Sequence, residues 1–322
     1  MLGDEFHIEP FFTEDYITAL YSGKRIFTHV IHAYIRRVFY LMRQSRGTHF
    51  HIEKEVFPGL NWNLFSLFVR SKGFTYSLDY DDATWHNNGK DTVYLNKYSW
   101  LWTRASLITC GNDYIMSHIG LFNSNVVYIP TSIPLSTKLS GVSCNCDKPT
   151  IVWIGTPKTE HYLRSVEEVL MRIQEKYGID ILLIGAKSDF LFRHKKIKWD
   201  KNNEYAQIAK GSIGIMPLSD DKFERGKCGY KLLQYLALGL FAVASPVGVN
   251  KKIAEECSSC FLAESVEEWM TALEAIIVNI EGNTFSKPNN GSEYVLANYN
   301  LLDWSGIYKT HLRKYGNIRS KS

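Results

Sequence analysis

Residues 150–186, TIVWIGTPKTEHYLRSVEEVLMRIQEKYGIDILLIGA, contain two apolar runs separated by a helical pattern. The runs TIVWIGT (150–156) and IDILLIGA (179–186) are typical of strands that are buried on both faces. Between them, apolar residues recur at helical spacing from Leu163 to Ile173, and Gly178 then ends the helix. A helix between two such strands is a βαβ unit, whose strands lie parallel. The stretch therefore predicts an α/β fold with a parallel sheet.

The same alternation extends in both directions along the chain. Downstream, the predicted strands are KIKW, SIGIMPL and FAVAS, and helices are predicted near NEYAQIA, from about residue 227, and over 265–280. Upstream, helices are predicted near 13–22, 26–44, 62–72 and 92–103, and strands at THFHIEKE, FTYSLDY, SLITCGN and VVYIPT. Ser265-x-x-Glu268 is a capping box for the 265–280 helix. Both halves therefore read as α/β units.

The chain length of 322 residues predicts two domains, because one ordinary core rarely grows so large. The segment STKLSGVSCNCDKP has neither a helical nor a strand period, which marks a linker. We therefore expect an N-terminal Rossmann-like domain over 1–135, a linker over 136–148, a C-terminal Rossmann-like domain over 149–290, and a final helix within 291–322 that packs back on the first domain.

Composition excludes several classes of protein. A hydrophobic content of 45% and a charged content of 22% are ordinary for a globular protein, and a net charge of +4 is too small to indicate nucleic acid as a partner. The acidic N-terminus is unlike a signal peptide, so we expect a cytoplasmic protein. The close cysteine pairs lack zinc-ribbon spacing, which favours reduced thiols and no metal site. The uncharged run 232–249 is interrupted by polar residues and Pro246, and therefore predicts a helix followed by a strand rather than a membrane span.

The stretch ERGKCGYKLLQYLALG (224–239) places cations at the start of a predicted apolar helix. A helix N-terminus carries a partial positive charge, so Lys227 and Lys231 should each cost roughly 0.3–1 kcal/mol unless an anion is present. The helix follows the strand SIGIMPL, and ligands bind at the carboxyl ends of parallel strands. Gly229 lets an anion approach the free backbone N–H groups, which predicts a diphosphate site. The alternative is a solvated loop on which the cations pair with Asp220, Asp221 and Glu224.

A second strand end supports the diphosphate site. Gly155 and Thr156 follow the strand VWI, and could face the same phosphate groups.

These segments resemble the retaining GT-B glycosyltransferases of the family 4 type. The resemblance lies in IGIMPL…ERGKCGYKLLQYLALG…VASPVGVN, in DYDDATW, in TCGNDYI and YIPTSI, and in VWIGT. It implies two Rossmann-like domains around a cleft, and transfer of a hexosyl group from a nucleotide sugar to a glycan or lipid-linked acceptor with retained configuration. It also implies that the reaction uses no metal ion. It implies no cofactor either, because the nucleotide sugar is a substrate.

The resemblance assigns roles to individual residues. Lys227, Gly229, Tyr230 and Lys231 would meet the donor diphosphate, and Gln234 lies where many members have the carboxylate that binds the ribose. A carboxamide can still accept one hydrogen bond from a hydroxyl and donate another. Many members have a further Glu at the position of Gly226, and Glu224 is the nearest acid here, which makes it the candidate contact for the donor sugar.

The first half offers Asp81, Asp82 and Asn112 at predicted strand ends. We expect Asp81 and Asp82 to bind sugar hydroxyls on the acceptor side of the cleft, and Asn112 to lie beside them. The alternative for all three is that they cap a following helix. The pattern assigns no catalytic base.

Residues 16–52 contain six basic residues and no acid, interleaved with aromatic residues. Such a segment fits an anionic membrane surface, and predicts a peripheral location at the inner face of the membrane. The alternative is a helix with a solvated basic face.

Similar enzymes begin with a strand and a Gly-rich loop, whereas this sequence reads as starting after them, so we expect a first domain that is shortened at its N-terminus. A non-catalytic GT-B-like partner subunit, or a pseudoenzyme that keeps the nucleotide, is therefore the alternative function. A dinucleotide-dependent oxidoreductase is disfavoured because no G-x-G-x-x-G follows a strand.

Overall fold

The computed structural model describes residues 7–21, 26–60, 63–86, 91–134, 149–282 and 290–315. Within these residues the strands form two parallel sheets, one in each half of the chain. The predicted α/β organisation, with a parallel sheet in each half, is therefore confirmed, and we refer to the two sheets with their helices as the first and second lobes.

The first lobe contains a four-stranded sheet in the order β1-β2-β3-β4. Its strands are β1 (His49–Glu53), β2 (Thr75–Tyr80), β3 (Ile108–Cys110) and β4 (Val126–Tyr128). Its helices are α1 (Glu14–Tyr21), α2 (Phe27–Arg43), α3 (Phe65–Lys72), α4 (Asp91–Arg104) and α5 (Asp113–Gly120). One face of this sheet packs into an aromatic-rich core around Tyr76, Tyr80 and Trp102. The other face is polar, with Ser77 and Thr109 fully buried on it.

The second lobe contains a six-stranded sheet in the order β10-β9-β8-β5-β6-β7. Its strands are β5 (Thr150–Ile154), β6 (Asp180–Ile184), β7 (Lys195–Ile197), β8 (Ile213–Met216), β9 (Phe241–Ala244) and β10 (Cys260–Leu262). Its helices are α6 (Glu167–Tyr177), α7 (Glu204–Ile208), α8 (Lys222–Arg225), α9 (Tyr230–Ala237), α10 (Val249–Glu256) and α11 (Val266–Glu281), and a 3₁₀ helix (Glu160–Val166) precedes α6.

Both faces of the second sheet are covered by helices, which explains its continuous apolar strands. Side chains of α9 and α10 pack on one face, and side chains of α6 and α11 pack on the other. The predicted capping box begins α11, because Ser265 accepts from the N–H of Glu268 at 3.2 Å while the Glu268 carboxylate accepts from the N–H of Ser265 at 3.1 Å.

The C-terminal segment forms two helices, α12 (Asn290–Tyr299) and α13 (Leu301–Tyr315). The first packs on the second lobe, where Val295 is fully buried in the same cluster as α9. The second reaches the polar face of the first sheet, where the Tyr308 hydroxyl hydrogen-bonds with Nε2 of His51. Burial lowers the pKa of His51 to about 4, so this imidazole is neutral at pH 7.

Several details differ from the sequence predictions. The helix α10 and the strand β10 were not predicted, and the polar loop before α9 contains the helical turn α8. The final helix is two helices that meet at Asn300. The predicted linker, 136–148, lies outside the described residues, and the predicted domain bounds stay a prediction.

Candidate functional site

A cavity of about 390 Å³ lies where the carboxyl ends of β5 and β8 meet the start of α9 and the loop after β2. It therefore occupies the position at which open parallel sheets bind ligands. It brings together most of the predicted site, since its lining residues are Asp81, Asp82, Thr131, Trp153, Thr159, Tyr162, Met216, Pro217, Leu218, Lys227, Cys228, Gly229, Tyr230 and Lys231.

Gly229 is the N-cap of α9, and its backbone requires glycine. Its φ of 69° lies in the left-handed region, and a Cβ atom there would lie 2.9 Å from Cγ1 of Val249 on α10. Because Gly229 has no side chain to accept hydrogen bonds, the first-turn N–H groups of α9 can donate to a ligand in the cavity.

Lys227 and Lys231 line the cavity and contact aromatic rings rather than acids. The Nζ atom of Lys231 lies 5.0 Å from the centre of the Trp153 ring, and the Nζ atom of Lys227 lies 4.6 Å from the centre of the Phe223 ring. In the described part of the chain, neither lysine forms a salt bridge. Burial, with a smaller contribution from the charge of Lys227, lowers the pKa of Lys231 to about 8. Neither lysine therefore has an ion-pair partner among the described residues, although the charge of Lys227 acts on Asp82, which lines the same cavity.

Arg225 behaves differently from the two lysines. Its guanidinium group donates to both carboxylate oxygens of Asp220, at 2.7 and 3.0 Å. The alternative interpretation, an ion pair on a solvated loop, is therefore correct for Arg225. It does not explain the positions of Lys227 and Lys231.

Asp81 and Asp82 are held by a lysine that the sequence analysis did not identify. Nζ of Lys54 lies 2.7 Å from Oδ1 of Asp81 and 3.3 Å from Oδ2 of Asp82. Lys54 follows β1 with a φ of 62°, an uncommon conformation for a residue other than glycine. Burial alone would lower the pKa of Lys54, but the two carboxylates together raise it above its usual value. Both aspartates therefore line the cavity as members of an ion cluster.

Asn112 caps a helix and also joins the two lobes. Its Oδ1 accepts from the N–H of Ile115 at 2.9 Å at the start of α5, while its Nδ2 donates to the carbonyl oxygen of Lys227 at 3.2 Å. The cap alternative therefore holds for Asn112, which is buried and does not line the cavity.

Two glycines allow the lobes to touch beside the cavity. A Cβ atom on Gly226 would lie 2.3 Å from Cβ of Ala83, and a Cβ atom on Gly111 would lie 2.3 Å from Sγ of Cys228. Position 226 is where the resemblance to family 4 enzymes implies a Glu. A side chain there would overlap the first lobe, which explains the glycine physically.

Gly155 and Thr156 are placed beside the cavity rather than in its wall. A Cβ atom on Gly155 would overlap the Trp153 ring at 2.3 Å, and the N–H of Thr156 donates to Oγ1 of Thr159 at 3.1 Å. Trp153 and Thr159 line the cavity at this point. The glycine therefore makes room for the indole that contacts Lys231.

Glu224 is buried at the end of α8, where its carboxylate accepts a hydrogen bond from the Tyr162 hydroxyl. Tyr162 lines the cavity, so Glu224 lies behind it.

Gln234 is also behind the wall, with 1% of its surface exposed. Its Nε2 donates to Oε1 of Glu204, at the start of α7. Glu204 was not identified from the sequence. One feature of the sequence could have identified it: Glu204 is the only acidic residue between Asp200 and the start of β8.

In the described residues, no group of three or more His, Cys, Asp or Glu side chains is arranged to hold a metal ion. Cys110, Cys228, Cys257 and Cys260 are free and buried. No helix in the described ranges combines the length and apolar character needed to cross a membrane.

No protein-family model matches the sequence, and no curated protein matches it. Solved structures do share its architecture. Sucrose-phosphate synthase from Thermosynechococcus elongatus matches with a TM-score of 0.62 and 14% identity, over 98% of this chain and 82% of that chain. α,α-Trehalose 6-phosphate synthase from Burkholderia multivorans matches with a TM-score of 0.63 and 9% identity, over 90% of this chain and 76% of that chain. Anabaena HepE, in complex with UDP and glucose, matches with a TM-score of 0.57 and 13% identity, over 76% of this chain and 73% of that chain.

These structural neighbours are GT-B glycosyltransferases, and the chain has the GT-B fold. The predicted fold class is confirmed.

Proposed function

We propose that the protein is a glycosyltransferase of the retaining, family 4 type. It moves a hexosyl group from a nucleotide-diphosphate sugar to a glycan or lipid-linked acceptor, without a metal ion or a cofactor. The observation that carries this proposal is the start of α9, where Lys227 and Lys231 line a cavity and form no salt bridge in the described residues. A diphosphate supplies an ion-pair partner for both lysines and an acceptor for the N–H groups of the helix start.

The same groups suit the chemistry of sugar transfer. When the bond between the sugar and the diphosphate breaks, negative charge grows on the leaving phosphate. The first-turn N–H groups of α9 and the two ammonium groups are fixed where this charge develops, and such preorganised groups lower the barrier. The ammonium groups of Lys227 and Lys231 therefore stabilise the charge of the leaving diphosphate, as a divalent metal ion does in other transferases. Retention rests on the resemblance of residues 224–250 to family 4 enzymes.

Asp81 and Asp82 belong to the first lobe and line the same cavity as the start of α9. We assign them to hydroxyl groups of the acceptor or donor sugar, since carboxylates accept from hydroxyls. Lys54 pairs with both aspartates and fixes their positions at the cavity wall.

A non-catalytic subunit that retains the nucleotide is the second candidate. It is favoured by Gly226, because the acid of similar enzymes is absent there and Ala83 occupies the space that a side chain would need. Hydrolysis or transfer of a sugar from UDP-glucose or a related donor by the purified protein would exclude this candidate.

The diphosphate site is tested by calorimetric titration with UDP and GDP. Lys227→Ala and Lys231→Ala should each remove a charge-assisted contact worth about 1.5–3 kcal/mol, or roughly tenfold to a hundredfold in Kd. Arg225→Ala is the matched control, because its guanidinium is already paired with Asp220, and it should bind normally. Undiminished binding in both lysine variants, or binding abolished by a chelator, would place the diphosphate elsewhere.

We also propose that the protein works at the inner face of a membrane, and α2 supports this. Five large apolar side chains lie on its outward face and are between 41% and 73% exposed: Phe27, Ile31, Ile35, Phe39 and Met42. We call them the α2 stripe. Two of the six basic residues in 16–52 bind the preceding segment, since Arg36 pairs with Glu9 and Arg37 donates to its carbonyl oxygen. Arg43 and Arg46 remain exposed near the end of the stripe.

The outward face of α2 is therefore apolar with a basic end, and not simply a solvated basic face. A helix of this kind inserts its apolar side between lipid headgroups while its cations attract anionic lipids. A lipid-linked acceptor would be met at the same surface.

A further inference from the structure

Glu204 is a half-buried carboxylate at the start of α7, and its contacts are unusual for an acid. Its Oε1 accepts from Nε2 of Gln234, and its Oε2 accepts from Nε1 of Trp199 at 2.5 Å. Both donors are neutral, and within the described chain Glu204 has no salt bridge with a lysine or arginine. The two contacts fix the orientation of the carboxylate but leave its charge uncompensated.

The position of Glu204 follows from α9. Gln234 lies one turn after Tyr230, or about 6 Å further along the helix axis at a rise of about 1.5 Å per residue. Tyr230 lines the cavity, and its hydroxyl lies 3.4 Å from the hydroxyl of Tyr205, the residue after Glu204. Glu204 is therefore beside the cavity wall, about one helical turn from the groups that face a diphosphate.

In this structure Gln234 cannot contact the ribose, because its side chain is buried and its amide donates to Glu204. In a nucleoside diphosphate the ribose is bonded directly to the first phosphate. A ligand anchored at the start of α9 thus carries its ribose hydroxyls past Tyr230, on the side where Glu204 lies.

We propose that Glu204 accepts hydrogen bonds from the 2′ and 3′ hydroxyl groups of the donor ribose, and that Gln234 and Trp199 are positioning residues for it. A carboxylate offers about four lone-pair sites, and two of them are used by Gln234 and Trp199. The remaining two match a vicinal diol. This assignment rests on the proposed diphosphate site, and it moves the ribose acceptor from α9 to α7.

The test compares UDP with 2′-deoxy-UDP, and GDP with 2′-deoxy-GDP, by calorimetry on the full chain. The wild-type protein should prefer the ribonucleotide about tenfold or more, since a hydrogen bond to a charged group is lost in the deoxy form. In Glu204→Gln the preference should fall several-fold, because a neutral carboxamide accepts a weaker hydrogen bond from a hydroxyl than a carboxylate does. Inorganic pyrophosphate, which has no ribose, should bind both proteins equally and shows that the variant is folded.

A swap separates the two candidate acceptors. Gln234→Glu alone places two carboxylates together and should weaken nucleotide binding. The double variant Glu204→Gln with Gln234→Glu restores one amide–carboxylate pair, so its melting temperature should recover. Its ribose preference should stay reduced, because the carboxylate is now the buried partner. Recovery of the preference in the double variant would instead show that position 234 meets the ribose.

The failure of this assignment is distinct from the failure of the proposed function. If nucleotide binding depends on Lys231 but Glu204→Gln keeps the full ribose preference, then Glu204 is not the acceptor and the diphosphate site stands. If neither the nucleotides nor pyrophosphate bind the wild-type protein, then both assignments are overturned.

Discussion

The Sγ atom of Cys228 donates a hydrogen bond to the main-chain oxygen of Asp81 at 2.7 Å, and it thereby links the start of α9 to the loop after β2. One partner belongs to the candidate diphosphate site and the other to the acceptor side. Together with the contact from Asn112 to Lys227, it sets the separation of the two halves of the cavity. Chemistry between a donor and an acceptor depends on this separation, because small displacements of reacting groups reduce rates strongly.

The pH dependence of nucleotide binding should follow Lys231. In the free protein its pKa is lowered to about 8, so the ammonium loses its proton as the pH rises through that value. A diphosphate favours the charged form, and UDP affinity should therefore decrease between about pH 7 and pH 10, with uptake of a proton near pH 8.

Calorimetry in buffers of different ionisation enthalpy measures this proton uptake. Lys231→Arg is the control, because arginine remains charged throughout this range and its affinity for UDP should change little. A wild-type affinity that is independent of pH over the same range would contradict the assignment of Lys231.

The lobe contact at Gly226 should tolerate no side chain. Gly226→Ala places a Cβ atom 2.3 Å from that of Ala83, and relieving the overlap should cost about 1–3 kcal/mol or push the lobes apart. Thermal melting and the radius of gyration from small-angle scattering report these two outcomes.

Gly306→Ala is the matched substitution in open space, within α13. It should raise the free energy of unfolding by about 0.5–1 kcal/mol, because alanine is the better helix former. If Gly226→Ala were equally stabilising with an unchanged radius of gyration, the lobes would not meet at this point in solution.

The α2 stripe should determine membrane association. The double variant Ile35→Ser, Phe39→Ser should sediment much less with vesicles of phosphatidylglycerol and phosphatidylcholine in equal parts than the wild-type protein, because two exposed apolar groups are lost. High salt should also weaken the wild-type interaction, since each cation near such a surface contributes about 1 kcal/mol and is screened.

Leu191→Ser provides the control, because Leu191 is 75% exposed on the second lobe, away from α2. It should sediment like the wild-type protein. Equal sedimentation of the wild-type protein with anionic and neutral vesicles would exclude an electrostatic contribution to membrane binding. If the stripe variants change the oligomeric state without changing sedimentation, the α2 stripe binds a second copy of the chain and not a membrane.

Local patterns predicted most of the fold. The strand β5 and the helix α11 follow from an unbroken apolar run and from a capping box, both of which are readable within a few residues. The helix α10 was missed because its eight residues are largely polar, and the strand β10 was missed as well. Short elements are stabilised by packing rather than by their own sequence, so a local pattern carries little information about them.

The candidate site was predicted where its groups are neighbours in sequence, as in the run from Lys227 to Lys231. The pairing of Lys54 with Asp81 could not be predicted, because it joins residues that follow two different strands and depends on an unusual backbone conformation after β1. The contact between Gln234 and Glu204 depends in the same way on how α9 packs beside α7. Sequence spacing identifies side chains that lie on one element, whereas contacts between elements require the packed structure.

The polypeptide crosses between the two lobes twice, and the two crossings lie side by side. Ile133, just before the first connection, forms a parallel bridge with Asn300, where α12 gives way to α13. The N–H of Ile133 donates to Tyr299 at 2.9 Å, and the N–H of Leu301 donates to Ile133 at 3.1 Å. Two adjacent connections resist sliding and twisting of one lobe on the other, but they leave bending about their common line as the softest motion. Any opening of the cavity to admit a nucleotide would therefore be a rotation about a hinge at Ile133 and Asn300.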